Sequence, residues 1–362
     1  MNVVVTGGAG FIGAALVRHL IVGGHRVLNI DRLSYSASPE ALAALPGNPL
    51  YRFVHLDIRE RTAIAALLAE FCPDTVLHLA AETHVDRSID NPALFIEHNI
   101  VGSMELLEAV RGYWQGLGDN GRLRFRYIQV STDEVFGSLG DGDAAFTADM
   151  PYHPNSPYAA SKAGSDHLAR AWGTTYGLPV IITNCSNNYG PFQFPEKLIP
   201  LMIIKALHGE MLPVYGQGLN TRDWIHVDDH ARALIAAAER GQPGNTYLIG
   251  ADCERRNLTL VETICDEVDR LAPSPAGPRR RLIHFVADRP GHDFRYAIDS
   301  APARRGLDWE PRVSMAEGIR ATVLWYLENR DWWQPILDGR YDGRRLGRAA
   351  VAVDAAKRGE AT

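Results

Sequence analysis

No feature constrains this chain more than the spacing of Gly7, Gly10 and Gly13 directly after the apolar run Asn2–Thr6. An apolar strand that breaks at a glycine and re-enters as a helix needs a tight turn, and Gly7 allows it. Gly10 lets the backbone approach a pyrophosphate, and Gly13 lets helix and strand pack closely. Backbone N–H groups at the helix start then face the phosphates. Asp31 follows the next apolar run, at 26–30. A carboxylate there accepts from the ribose hydroxyls of NAD and repels a 2′-phosphate. Arg32 beside it has two readings, a partner for the 2′-phosphate of NADP or a solvated turn cation. Asp57 also has two, an adenine contact or the N-cap of the following helix.

The N-terminal half alternates apolar runs with helical patterns. Strands are expected at 2–6, 26–30, 52–56, 75–79 and 126–131, and helices at 14–23, 63–70 and 91–113. Such alternation implies a parallel sheet with helices on both faces. Runs that are apolar throughout suit a sheet buried on both sides. The expected class is therefore α/β, a Rossmann-type doubly wound parallel sheet with a smaller C-terminal α/β substrate lobe. Beyond Thr183 the pattern changes. Helices are expected at 198–208 and 230–239, a loop at 210–223, and a return to the sheet at 245–249. A helix at 259–271, with Thr259 as N-cap, begins the smaller lobe, and another spans 315–330. The expected division is a Rossmann domain over 1–187, rejoined by about 221–250. Residues 188–220 and 251–335 form the second lobe. The Arg-, Gly- and Ala-rich residues 338–362 read as a poorly ordered tail.

Composition narrows the function. Charged residues make up 22% and hydrophobic residues 46%, which suits a globular chain. The net charge of −6 offers no footprint for nucleic acid. A phosphorylated ligand must then meet local cations and helix ends. The four cysteines lack CxxC spacing, so no metal site is expected. No apolar run approaches the roughly 20 residues of a membrane span. The chain starts directly in a strand, so free thiols and a cytoplasmic location are expected. The arginines at 279–281 read as a solvated turn, as do Arg344, Arg345 and Arg348 in the tail. Trp332 and Trp333 read as packing at a helix end.

Tyr158 and Lys162 form a YxxxK pair, and residues i and i+4 share a helix face. Asn155, Ser156 and Pro157 supply a helix start. An ammonium beside a phenol favours the phenolate, which can take a proton from a sugar hydroxyl as hydride leaves the same carbon. Thr132, Asp133 and Glu134 stand where the fifth strand ends. The two carboxyls are adjacent and can act on each other's charge. An acid that stays protonated needs desolvation or a like-charged neighbour.

On GGAGFIG, Asp31 and YAASK, the chain resembles the extended short-chain dehydrogenase/reductases, which act mostly on sugar nucleotides. The Ser131–Gly137 segment, with its two acids, resembles the dTDP-glucose 4,6-dehydratases, and the likeness runs from Met1 to about Arg330. It implies oxidation at C4 with NAD, loss of water across C5–C6, and hydride return to C6. Tightly bound NAD is then restored each turnover. The resemblance assigns Glu134 as base at C5, Asp133 as acid at C6, and Thr132 to the oxygen at C4. It extends the cofactor contacts to Phe11, Ile12, Leu33, Ser34, Ile58, Leu79, Ala80, Ala81, Thr83 and Asn188, besides Tyr158 and Lys162. Thr83 stands where the family usually has Ser, and His98 where it commonly has Thr. Thr83, Asn187, Glu196, Lys197, Leu198, Pro213, Tyr215, Arg222, Asn257, Arg289 and His292 map onto sugar-nucleotide contacts. Arg222 and Arg289 suit a diphosphate, since guanidinium makes paired hydrogen bonds. By analogy the family also implies a homodimer built through a four-helix bundle. The alternatives are a dehydratase, epimerase or decarboxylase on another nucleotide sugar, and a non-catalytic NAD-binding sensor.

Overall fold

β1 (Asn2–Thr6) runs through the middle of the molecule because its side chains are apolar on both faces; Val3, Val4 and Val5 are fully buried. It pairs in parallel with β2 (Arg26–Asp31) and β4 (Thr75–His78). Outward from these lie β3 (Tyr51–His55) on one side. On the other lie β5 (Arg126–Thr132) and β6 (Val180–Cys185), with β10 (Thr246–Ile249) at the edge. The seven strands run β10-β6-β5-β4-β1-β2-β3, all in parallel. The strand order reverses at β1 and β4, where a doubly wound sheet opens its ligand crevice. The computed structural model describes residues 1–341.

Helices Phe11–Val22 and Val227–Arg240 cover one face of this sheet. Helices Arg61–Phe71, Gly102–Gln115 and Pro157–Tyr176 cover the other. The helix expected at 91–113 has a more particular form. It starts with Pro92–Phe95 and continues through a π-helical stretch, Ile96–Val101, into Gly102–Gln115. The wider turn brings His98 and Asn99 inward. Asn99 accepts from the Glu82 backbone N–H at 2.8 Å and donates to its carbonyl at 3.0 Å. The loop after β4 is fastened at that point.

A second core forms around helices Leu198–His208, Asn257–Leu271 and Met315–Glu328. Here the expected loop at 210–223 is corrected. It contains β8 (Leu212–Tyr215) and the start of β9 (Thr221–His226). β8 pairs with β12 (Ile283–Val286), and β9 pairs with β7 (Asn187–Tyr189) and β11 (Glu254–Arg256). The partners of β8 are remote in sequence, so no local hairpin signal marks them. Thr259 is not the N-cap either. The helix starts two residues earlier with Arg256 at the cap position, which leaves Thr259 in the first turn. By contrast, Ser314 and Glu317 form a reciprocal capping box ahead of Met315.

The arginines at 279–281 are not simply solvated. Arg279 is buried, 2.8 Å from Asp269, and Arg280 pairs with Asp266 at 2.6 Å. Trp333 is buried in the second core. Within the expected tail, Ile336–Arg340 forms a π-helical turn. Residues 342–362, with Arg344, Arg345 and Arg348, lie outside the described residues. The cysteines are free thiols, and no helix among the described residues is long and apolar enough to cross a membrane.

Candidate active site

One cleft opens along the carboxyl ends of β1, β2, β4, β5 and β6. Gly7, Gly10, Phe11, Ile12 and Gly13 form one wall. Gly7 has φ +73°, and a Cβ there would lie 2.6 Å from the Ala80 nitrogen. A Cβ on Gly13 would lie 2.1 Å from the Gly7 carbonyl. Both contacts demand glycine. The Phe11–Val22 helix begins at Gly10 with no side-chain cap and no acid in its first turn. Its open N–H groups and positive dipole end suit an anion. Asp31 is buried at the end of β2. Its Oδ2 accepts from the Ala9 N–H at 2.9 Å, and its Oδ1 from the Leu33 N–H at 2.7 Å. A glycine turn with no room for side chains, an open helix start and a fixed carboxylate together fit a dinucleotide.

The neighbours of Asp31 answer several open points. Arg32 is neither a solvated cation nor free for a 2′-phosphate. It is tied to Glu82 and His98, with Asp57 at 3.9 Å. His98 lines the cleft, so the position keeps a polar contact, though with Arg32. Burial and the nearby guanidiniums of Arg32 and Arg59 depress the His98 pKa. Asp57 does not cap the following helix, where Glu60 stands at the cap. It lines the cleft and holds Arg59 through the side chain and the backbone N–H at 3.0 Å. Leu33 contributes its backbone N–H while its side chain points outward, 37% exposed. Ser34, Ile58, Leu79, Ala80, Ala81, Thr83 and Asn188 all line the cleft.

The second half of the cleft holds the acid pair. β5 ends at Thr132, whose hydroxyl accepts from the Glu134 N–H at 3.3 Å and starts a tight 3-10 turn, Asp133–Phe136. That turn leaves Asp133 buried and Glu134 half-buried, both facing the cleft. Their surroundings differ. Burial, then the charges of Glu134 and Asp223, push the Asp133 pKa well above the usual carboxyl range. Asp133 Oδ2 is buried without a hydrogen-bond partner. Burial also raises Glu134, but Arg289, Arg222 and Lys197 oppose the rise. Both carboxyls are raised, Asp133 well above its usual range and Glu134 against the opposing charge of three cations.

This asymmetry has a stability consequence. A carboxyl whose folded pKa is raised costs nothing below its unfolded pKa, near 4. The cost grows as pH rises from there toward the folded value. Asp133→Asn is therefore expected to melt higher than wild type at neutral pH, with the gap closing near pH 4. A variant that melted lower at neutral pH in a calorimeter would contradict the burial argument.

Tyr158 and Lys162 sit on the Pro157–Tyr176 helix, capped by Ser156, which accepts from the Ala159 N–H at 3.1 Å. Both side chains are buried and reach the cleft. The expected effect of Lys162 on the phenol is corrected. Burial first, and then the charge of Glu134, hold the Tyr158 pKa well above normal, and a hydrogen bond from Thr132 opposes them. Lys162 donates instead to the Val130 carbonyl at 2.8 Å.

Beyond Glu134 the structure gathers a cationic cluster. Arg222 is buried, stacks over Tyr296 at 4.1 Å and donates to the Asp293 carbonyl at 2.8 Å. It makes no ion pair among the described residues. Asp86 accepts from Arg289 and from the Tyr215 hydroxyl, each at 3.1 Å. His292 pairs with Asp288 at 2.6 Å, and burial with nearby Arg289 and Arg222 lowers its pKa to about 4. Asn257 Oδ1 is buried without a partner. Asn187, Glu196 and Lys197 line the cleft. Glu196 is already held by Tyr35 at 2.6 Å and Arg87 at 2.9 Å, and Lys197 by the Thr83 carbonyl at 2.9 Å. Leu198 does not reach the cleft. It opens a helix and packs on the second core, because its apolar side chain falls on the buried stripe. Pro213 sits in β8, opposite His284 of β12.

Sequence reading missed Ser36, Ala37, Cys185, Gln193 and Phe194, which also line the cleft. Cys185 ends β6, and burial pushes its thiol up to about 12, so it is a neutral wall. The only local signal for these residues is their position at strand ends or beside predicted ones.

The GDP-mannose 4,6 dehydratase family matches residues 4–322. A dTDP-glucose 4,6-dehydratase of Neisseria meningitidis is 54% identical over 350 residues, covering 96% of this chain and 99% of its own. One from Escherichia coli is 51% identical, with 96% and 99% covered. Among solved structures, a dTDP-glucose 4,6-dehydratase from Streptomyces venezuelae with NAD bound is 44% identical. It superposes with a TM-score of 0.84 over 93% of this chain and 100% of its own. A UDP-glucose 4-epimerase from Thermus thermophilus in complex with NAD is 28% identical, with a TM-score of 0.79 over 91% and 100%.

Proposed function

This chain belongs to the dTDP-glucose 4,6-dehydratases, and from that premise we propose how its own residues divide the work of the reaction. It is a lyase that removes water from dTDP-glucose to give dTDP-4-dehydro-6-deoxyglucose, with NAD as cofactor. Bound NAD would supply a reversible hydride acceptor for the transfer from C4 to C6 of the sugar. Gly7, Gly10, Gly13 and the Phe11 helix start hold its phosphates, and Asp31 its ribose.

Tyr158 takes the proton of the C4 hydroxyl, with Thr132 hydrogen-bonded to the same oxygen. The ketone at C4 acidifies the C5 proton; Glu134 removes it, and returns a proton to C5 as hydride arrives at C6. Asp133 gives its proton to the C6 hydroxyl, which leaves as water. Arg222 and Arg289 hold the diphosphate, and Lys162 fixes the helix face that presents Tyr158. The observation that carries this division is the opposed environment of the two acids. Asp133 is buried beside Glu134 and Asp223 with Arg222 alone opposing, whereas Arg289, Arg222 and Lys197 oppose the rise of Glu134, with Asp293 adding to it. An acid and a base are needed on adjacent carbons, and these surroundings supply one of each.

We divide the chain into an NAD-binding part, residues 1–187 with about 221–250, and a sugar-nucleotide part, residues 188–220 with 251–335. Pairing of two chains through helices Gly102–Gln115 and Pro157–Tyr176 would cover Val101 and Tyr176, which are 41% and 42% exposed. Four free thiols, with Cys72 exposed, suit the reducing cytoplasm.

The purified protein with dTDP-glucose is expected to yield the 4-keto-6-deoxy sugar nucleotide without accumulating NADH. Slower turnover of UDP-, CDP- and GDP-glucose in the same assay supports the dTDP assignment. Stoichiometric NADH would contradict the closed cycle, and a faster rate with another base would move the substrate.

A further inference from the structure

The C-terminal end of the second core reaches back to the cofactor wall. Trp332 Nε1 donates to the Ser38 hydroxyl at 2.8 Å. Ser38 is buried, and its backbone N–H donates to the Ala9 carbonyl at 2.7 Å. The Ala9 N–H in turn donates to Asp31 Oδ2 at 2.9 Å. Three hydrogen bonds thus lead from a C-terminal indole through the glycine turn to the carboxylate at the ribose site. The indole is held by rings on two sides, Phe192 at 5.6 Å and Trp325 at 5.1 Å.

The same segment grips the opposite rim. Ile336 and Tyr341 pack on Phe194, which lines the cleft and meets Tyr35 edge-on at 5.5 Å. Tyr35 belongs to the loop whose Ser34, Ser36 and Ala37 form the cleft wall. Two loops that would have to part for a dinucleotide to leave are therefore stapled by one element.

We propose that residues 330–341 act as a strap that retains NAD in the cleft between turnovers, with Trp332 as its positioning residue. The inference rests on the NAD reading of the cleft. A cofactor restored in every cycle need not dissociate, and losing it between oxidation and return would strand a half-reacted sugar. Retention therefore serves this reaction more than it would a dehydrogenase that exchanges its cofactor.

The test uses the full chain as purified. Trp332→Phe keeps a ring and loses the N–H, and Ser38→Ala removes the acceptor. A neutral hydrogen bond contributes about 1 kcal/mol net, which corresponds to roughly a five-fold change in rate. Each variant is expected to release NAD about five-fold faster than wild type, measured by displacement with a fluorescent NAD analogue. The double variant is expected to be no faster than either single one. Trp309→Phe is the control, since this buried indole lies outside residues 330–341 and donates to the Asp229 carbonyl at 3.1 Å. It should lower the melting temperature and leave NAD release unchanged. Release from Trp332→Phe at the wild-type rate, or equal acceleration in the control, overturns the strap. Wild-type protein that neither carries nor binds NAD overturns the cofactor reading itself.

Discussion

Replacing Tyr158 with Phe is expected to lower turnover about a thousandfold, within the range for a positioned acid–base group. The ring itself should stay in place. It meets Phe95 edge-on at 6.3 Å and is buried, and neither contact uses the hydroxyl. What goes is the atom that takes the C4 proton. Mixing the variant with dTDP-glucose in a single turnover should then show no NADH absorbance. NADH at the normal rate would remove Tyr158 from the proton transfer. Burial and the charge of Glu134 push the phenol pKa well above its usual range, so the wild-type oxidation rate is expected to rise with pH.

Glu134→Gln is the second large effect, and it separates two steps. Oxidation at C4 does not need Glu134, so NADH should form and persist in the variant. Exchange of the C5 proton with solvent deuterium should slow by about a hundredfold or more. The geometry explains why Asp133 cannot take over. Its pKa lies well above the usual carboxyl range, which suits it to donate a proton. Normal C5 exchange in Glu134→Gln would make another group the base.

Much of the sheet was legible in the sequence because its central strands are apolar runs. Asn2–Thr6 and Thr75–His78 needed no partner to be recognised. The glycine turn was equally local, since Gly7 and Gly13 answer steric demands set within a few residues and by the next strand. β8 was invisible for the opposite reason. It pairs with β12, remote in sequence, and Pro213 and nearby glycines read as turn residues. The role of Leu198 fell to packing. In a helix start its apolar side chain follows the buried stripe, whatever its neighbours Glu196 and Lys197 do.

The sequence by itself determined the dinucleotide turn and placed Tyr158 and Lys162 on one helix face, because turn sterics and the i, i+4 geometry of a helix are local. Only the tertiary structure decided the protonation of the acid pair. Nothing in the pair Asp133–Glu134 says which acid keeps its proton. That depends on Asp223 lying near Asp133, on Arg289 and Lys197 lying near Glu134, and on Arg222, which acts on both. The tertiary fold likewise turned Lys162 toward the Val130 carbonyl and tied Arg32 to Glu82 and His98. Charge acts through space and burial sets its strength, so these outcomes follow from which distant segments meet.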